Sequence, residues 1–417
     1  MEFFFKKKWL GILILVIFFG AVGISTLYRG ALSHKQRTDL TVYLKAAEMI
    51  QTGRADHIYG IENSRHWHYV YSPLLAILLA PFAKLPLPLN VLLAYLFSVA
   101  ALMGTLILSR TFSEKPRDAS WQIALSGFFC LPLFLNTFSR GQLGIVVLGG
   151  AVFVFFCYLK NWKTLAGLVL GFGISLKISP FAFGLLFFLF KREWKVLAGA
   201  LTGFAVFLFL LPSVIIGPQQ NWKLLNIWQE LMRSGSMDEA YKSYLWKELF
   251  TPFAGDNQSL YAVITRFVWA SETAFIGASN AVLRSCTSLA GVLLLLLLFL
   301  KRLPAKPAAE QNRVALFAEY SLFLVLMLFT SPITQIHHYT VLYMLYLATL
   351  FLLSEQSPKS VPGVWLMTGL WVSASCILLG YLSDAFSYYG GPLWGSLFLW
   401  GIVLFCFNKK SEPEHST

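Results

Sequence analysis

Long apolar runs parted by short polar joints repeat from one end of the chain to the other. They cover residues 9–28, 88–109, 119–136, 142–159, 163–177, 180–190, 195–216, 282–300, 314–331, 338–353, 362–383 and 391–408. A helix of about 20 apolar residues, rising about 1.5 Å per residue, crosses the hydrocarbon core of a bilayer, so the pattern predicts about twelve transmembrane helices. The fifth and sixth runs are short and meet at Ser179-Pro180. Proline breaks a helix, so these two are either separate passes or one kinked or re-entrant unit. The first run follows Lys6-Lys7-Lys8, is too long for the apolar part of a secretory leader and lacks a convincing small-x-small cleavage site. It reads as an uncleaved first helix.

Two segments break the alternation, residues 29–87 and 217–281, and both carry helical patterns with interspersed aromatic side chains that suit a membrane surface. The first predicts a helix from Asp39 to about Ile50. It then reaches Tyr71-Ser72-Pro73 and a 12-residue apolar stretch ending at Leu85, too short to span, which reads as a helix lying on or dipping into the membrane face. No repeat of 20–50 residues is visible. Residues 1–408 therefore read as a single polytopic domain, with 409–417 as a polar, disordered tail.

Composition agrees with the pattern: of 417 residues, 57% are hydrophobic and only 13% charged, with a mean hydropathy of +0.64. Soluble domains carry about twice that share of charge. The formal net charge of +13 is spread in short clusters between apolar runs rather than in a stripe interleaved with aromatics, so nucleic acid is not an expected partner. The clusters set orientation. With the N-terminus in the cytoplasm, the cytoplasmic joints hold Lys6, Lys7, Lys8, Arg110, Lys115, Arg117, Lys160, Lys163, Lys191, Arg192, Lys195, Lys301, Arg302, Lys306, Arg313, Lys359, Lys409 and Lys410. The short outer joints hold only Arg140 and Lys177, as the excess of Lys and Arg in cytoplasmic loops requires. Both termini are then cytoplasmic, and 29–87 and 217–281 lie outside, for a multi-pass protein of the cell (inner or plasma) membrane. The five cysteines all sit in apolar runs with no metal-like spacing and read as packing residues.

Candidate chemistry gathers on the outer side. Six of the seven histidines, His34, His57, His66, His68, His337 and His338, fall there, and His415 lies in the tail. Asp39, one of six aspartates, has two readings: an N-cap or first-turn acid stabilised by the helix dipole, or a general base at the membrane boundary. His337-His338 could hold a metal, contact a phosphate or relay a proton, or simply pack; no acidic or Cys partner stands at ligand spacing, so a metal is not expected. Arg140 and Lys177 either snorkel to the interface or neutralise an anionic group. Asp256-Asn257-Gln258-Ser259 and Arg266 form a further polar cluster in the second outer segment. There is no Walker A loop, no GxGxxG before a helix, no HExxH and no Asp-x-Asp pair, so a nucleotide-driven reaction in the cytoplasm is not expected.

Short motifs in a fixed order resemble those of glycosyltransferase family 87, over roughly Thr38 to Leu342. They are Asp39, Tyr43 and Ala46 followed by Gly53 and Ile58-Tyr59; then Tyr69-Val70-Tyr71-Ser72-Pro73 with Ala76, Pro81 and Leu85-Pro86. Next come Asn136 and Gly141-Gln142, Ala166-Gly167, Lys177 and Pro180, Asn257-Gln258-Ser259, and finally Ser331-Pro332 with His337-His338. The chain departs from the family pattern at Ser72 (usually Pro), at Gly144 (often Asn) and at Gln335 (commonly Trp). The resemblance implies an all-α integral membrane bundle of the GT-C type. It implies transfer of a hexose, most often mannose, from a polyprenyl-phosphate donor to a lipid or glycan acceptor, inverting and without metal or other cofactor. It makes Asp39 the catalytic base, meeting the loop 137–142. Donor phosphate and sugar would be bound by His337, His338, Arg140, Lys177, Gln142, Tyr71, Asn257, Gln258 and Arg266. A polytopic transporter or flippase for lipid-linked sugars is the alternative without catalysis.

Overall fold

A computed structural model of the chain describes residues 2–34, 36–61, 67–116, 119–234, 251–269, 271–276, 281–302, 311–355 and 360–406. His66, His415, Arg117, Lys306, Lys359 and the tail 409–417 lie outside the described residues, as do parts of the segment 217–281. The helices are α1 (Glu2–Leu27), α2 (Leu40–Gln51), α3 (Pro73–Leu79), α4 (Leu87–Ser109), α5 (Ser120–Phe129), α6 (Leu131–Arg140) and α7 (Gly144–Leu159). They continue with α8 (Lys163–Leu176), α9 (Ile178–Phe190), α10 (Trp194–Phe204), α11 (Leu211–Ile216), α12 (Pro218–Ser234), α13 (Leu260–Val268) and α14 (Glu272–Ile276). The last are α15 (Ala281–Lys301), α16 (Arg313–Val325), α17 (Met327–Thr330), α18 (Leu342–Glu355), α19 (Val361–Leu382), α20 (Asp384–Tyr388) and α21 (Gly391–Cys406).

Every one of the twelve apolar runs is helical, but they are not alike in length. Among the described residues seven helices are long and apolar enough to cross a membrane, or eight if the bent pair α5–α6 is one span. The expected single helix over 119–136 is that pair, bent by 59°. Pro132, second in α6, has no N–H to return to the preceding turn, and the ladder breaks there. The four remaining runs form α7, α8, α9 and α21, of 16, 14, 13 and 16 residues. At about 1.5 Å per residue they fall short of a 30 Å core.

The question left at Ser179-Pro180 has a geometric answer. Gly167 and Gly171 of α8 face Gly199 and Gly203 of α10; a Cβ on Gly171 would stand 2.3 Å from the Ala200 carbonyl and one on Gly203 2.6 Å from that of Leu168. Residue numbers rise together along this contact, so α8 and α10 run parallel, joined by two small-xxx-small stripes that let backbones meet. The helix between them must return in the opposite direction, so α8 and α9 are the two legs of a hairpin rather than one kinked helix. Its tip is Lys177, in extended backbone, and Ser179, whose φ of −94° and ψ of 133° break the start of α9.

The centre of the bundle is α16 and α18, with every residue from Leu316 to Val325 and from Leu342 to Leu353 buried. The periphery is equally apolar yet bare. Trp9, Leu10, Val16 and Ile17 of α1 are each more than half exposed, as are Val282, Val292 and Leu293 of α15. Surfaces apolar on every side suit a lipid solvent rather than water. One charged side chain inside the core, Glu319, pairs with Lys191 at 2.6 Å, both essentially inaccessible. Lys163 and Glu193 pair at 2.7 Å. These pairs lie toward the end of α8 and α9 opposite Lys177.

The two non-spanning segments cap the Lys177 end. α2 packs on α3 through Tyr43, Ala46, Leu74 and Ala76, which with Ile58 and Tyr69 make a small core of their own. The span formed by α10 and α11 contains a wide turn at Ala205–Leu210, beside Pro212. Asn221 of α12, almost fully buried, donates Nδ2–H to the Leu208 carbonyl at 3.1 Å, a group whose helical partner would have been the N–H that Pro212 lacks. That bond fixes where α12 leaves the membrane helix. α12 then lies across the first capping segment, with the Trp228 indole N–H on the Val70 carbonyl at 3.0 Å.

Candidate active site

Asp39 is the residue just before α2, where an acid ordinarily caps the helix, yet its carboxylate makes no capping hydrogen bond. Its backbone is tied instead to another loop: the Asp39 N–H donates to the Arg140 carbonyl at 2.9 Å, and Thr38 Oγ1 donates to the same oxygen at 3.2 Å. Gly141 permits this junction. It takes φ +61°, left-handed backbone that closes α6, and a Cβ there would stand 2.5 Å from Thr38 Oγ1. The loop expected to meet the acid therefore does so, through one main-chain bond and one from the Thr38 hydroxyl, 102 residues away in sequence.

One turn into α2, Tyr43 turns its hydroxyl toward Tyr71 Oη at 3.4 Å and Gln142 Oε1 at 3.3 Å, and Tyr71 donates to the same amide oxygen at 3.5 Å. The two rings meet edge to face at 5.2 Å. Burial pushes the Tyr43 hydroxyl pKa well up, with Tyr71 and the Asp39 charge adding to it; burial likewise raises Tyr71. Both hydroxyls stay protonated and remain donors at neutral pH. Lys177 Nζ stands over the Tyr71 ring, 5.8 Å from its centre. Ser72, where the family pattern has proline, donates its hydroxyl to the Ser175 carbonyl at 2.5 Å and so ties this segment to the last turn of α8 beside Lys177.

His337 and His338 sit on a turn of 3-10 helix, Ile336–Val341, leading into α18, their rings 4.3 Å apart. The Gln335 N–H donates to His338 Nδ1 at 3.2 Å, which in the neutral ring puts the proton on Nε2. His337 Nδ1 is buried with no hydrogen-bond partner among the described residues. Gly144 lets this turn close on α7, since a Cβ there would stand 2.7 Å from the His337 carbonyl. Larger side chains at 144 would push the histidines away.

These parts enclose a cavity of about 300 Å³, at the lower end of small-molecule sites. Asp39, Tyr71, Arg140, Gln142, Lys177, His337 and His338 all line it. Arg140 is paired there with Asp256 at 2.8 Å, the two side chains 31% and 58% exposed. A pair this open to solvent holds with less than about 1 kcal/mol and exchanges easily. Asn257, Gln258 and Arg266 do not line the cavity. Arg266 donates to the Pro252 and Ala254 carbonyls, each at 2.8 Å; Gln258 Nε2 donates to the Gly255 and Ser387 carbonyls at 2.7 and 2.8 Å; Asn257 Oδ1 accepts from the Ser259 and Thr334 N–H groups. They are buried because they frame the cavity wall. His34 and His57 lie away from it, whereas His68 joins it.

Sequence reasoning missed Trp67, Trp228 and Met232, which roof the cavity, and gave Tyr43 and Gln335 only as family landmarks. Trp228 and Met232 carry a legible signal, four residues apart on one face of α12, below the buried Leu224 and Leu225. Trp67 carries none. Among the described residues no three His, Cys, Asp or Glu side chains stand together as metal ligands. What the cavity offers is a carboxylate within reach of two cations, two imidazoles and several neutral donors, able to accept a proton while an anion is held nearby.

No curated protein and no solved structure matches the chain. The model of glycosyltransferase family 87 matches residues 69–332, which takes in Tyr71, Arg140, Gln142 and Lys177 and begins after Asp39 and ends before the histidines. That match spans more than half of a polytopic helical chain and about half of its cavity lining, and the protein belongs to glycosyltransferase family 87.

Proposed function

We propose that this membrane glycosyltransferase moves a hexose, mannose first among candidates, from a polyprenyl-phosphate donor to a lipid or glycan acceptor. The reaction takes place at the outer face of the cell membrane, in a GT-C-type bundle whose termini are cytoplasmic. The observation that carries this reading is Asp39: a carboxylate at a helix start, unused as a cap, lining a cavity with Lys177 and Arg140. The acceptor hydroxyl oxygen attacks the anomeric carbon from the side opposite the phosphate, and its proton passes to Asp39. The bond from the anomeric carbon to the phosphate oxygen breaks, and polyprenyl phosphate leaves with the electron pair, giving inversion. Lys177, and Arg140 once exchanged from Asp256, would neutralise the charge growing on that oxygen, and the His337-His338 turn would supply further donors. The phosphate bond of the donor supplies the driving force. The transporter alternative has no comparable support, since the family is one of glycosyltransferases.

The deciding assay incubates membranes containing the protein with polyprenyl-phosphate mannose, polyprenyl-phosphate arabinose or a nucleotide sugar, and follows acceptors by mass spectrometry. Transfer from a polyprenyl-phosphate sugar is the expected result, and transfer from the nucleotide sugar alone would sink the reading. The tyrosines give a smaller test. Tyr43→Phe removes one hydroxyl from the Gln142 cluster while keeping the buried ring. Loss of that neutral internal hydrogen bond should lower stability by about 1 kcal/mol and, because Gln142 loses one of the two hydroxyls that orient it in the cavity, raise donor KM a fewfold.

A further inference from the structure

Asp256 has no task in the transfer chemistry, yet buried side chains fix its place. The turn that carries it is held from behind by Arg266 on the Pro252 and Ala254 carbonyls and by Gln258 on the Gly255 carbonyl. The Asn257 N–H closes onto the Ala254 carbonyl at 2.9 Å, and Asn257 bridges to Gln335 next to the histidine turn. At the tip of this frame a carboxylate stands 2.8 Å from Arg140, in the wall of a cavity whose reading requires it to bind an anion. A fixed negative charge in that position weakens anion binding unless it is meant to be exchanged.

The exposure of the pair separates it from the buried ion pair at the centre of the bundle, and it is also more open than Lys163–Glu193, at 24% and 10%. Lys191 and Glu319 are sealed from solvent at 1% and 0%, and separating them would strand a charge. Arg140 and Asp256 are 31% and 58% exposed, so either can turn to water or to a new partner at little cost. The formal charges lining the cavity, Asp39 and Asp256 against Arg140 and Lys177, cancel. A phosphodiester brings one negative charge and takes over Arg140 as Asp256 swings to solvent. A pyrophosphate link brings more, and the surplus then faces a carboxylate that the frame keeps close.

We propose that Asp256 is a specificity-determining counter-ion: it holds Arg140 until the donor's phosphate displaces it, and it disfavours donors with a second phosphate. This rests on the donor reading above and adds to it the residue that sets the charge the site accepts.

The test uses the full-length protein in detergent, wild type and Asp256→Asn, titrated with inorganic phosphate and with inorganic pyrophosphate and followed by thermal unfolding. Asparagine keeps the shape and removes the charge. The variant should bind pyrophosphate about fivefold more tightly, the worth of one lost exposed ionic competitor together with the lost repulsion of the second phosphate, with a smaller gain for phosphate. The gain for phosphate should vanish when the double variant is compared with Arg140→Gln alone, and donor KM in Asp256→Asn should fall. Equal pyrophosphate affinity in wild type and variant would overturn the proposal, as would a phosphate gain that survives in the double variant. So would a variant that melts lower and binds both anions no better, the mark of a purely structural tie. The anion titration needs no turnover, so a failure to use polyprenyl-phosphate sugars would strike the donor reading and leave this one measurable.

Discussion

Asp39→Asn should lower the rate of sugar transfer about a thousandfold, within the 10²–10⁴ range for removal of a positioned base, while the protein inserts and folds as before. The two readings of this residue separate at this substitution. Asparagine is as good an N-cap as aspartate, so if residue 39 only began α2, exchange would be nearly neutral in every measurement. In the structure the side chain makes no capping bond, and the junction that holds it in place runs through its own backbone N–H and through Thr38 to the Arg140 carbonyl. The asparagine variant keeps all of those bonds, so its thermal stability should lie within about 0.5 kcal/mol of wild type. What it loses is a proton acceptor beside Tyr43, Tyr71 and Lys177. Turnover within tenfold of wild type, in protein shown to be folded, would remove Asp39 as the base.

The helices were legible because membrane helices are read from composition: each of the twelve apolar runs is helical, and the polar joints fall where the helices stop. Length was less legible. Pro132 bends the span over 119–136, and run length alone does not register such a break, whereas the short runs on either side of Ser179-Pro180 stood out in the sequence. The hairpin of α8 and α9 became clear only from the glycine stripes that align α8 with α10. In the site, residues at the ends of helices were found from sequence because a charge beside an apolar run stands out. Asp39, Arg140, Lys177 and the histidines are of this kind. Asn257, Gln258 and Arg266 carry the same polar signal but spend it on backbone carbonyls and N–H groups of their own turn, a distinction that only coordinates reveal. The roof made by Trp67 and Trp228 escaped because aromatic side chains near a membrane are ordinary, and their convergence depends on how α12 crosses the first segment.

Lys177→Met should lower kcat by about a hundredfold or more, the usual loss when one preorganised donor to a developing negative charge is removed. Methionine has nearly the length of lysine and can keep the contact over the Tyr71 ring, so packing is preserved and the charge alone is deleted. The position is fixed independently of that charge: Lys177 N–H bonds the Gly173 carbonyl at 2.8 Å, its backbone is the extended tip of the α8–α9 hairpin, and Ser72 ties the neighbouring turn at Ser175. A lysine that merely snorkels to the interface would be replaced by methionine with little change in rate, because a side chain of that length in an apolar setting is no burden. A lysine that stabilises the departing phosphate behaves differently. Its loss should fall mainly on kcat, with donor KM moving only a fewfold, because the charge on the bridging oxygen grows in the transition state. Lys177→Arg should recover part of the rate, since it restores the charge in a different geometry. The loss in Lys177→Met should also shrink with a donor whose phosphate leaves more readily, because less charge then needs neutralising at the bridging oxygen. A uniform loss across donors of different leaving ability, or an effect confined to KM, would move Lys177 from the chemistry to the binding of the ground-state phosphate.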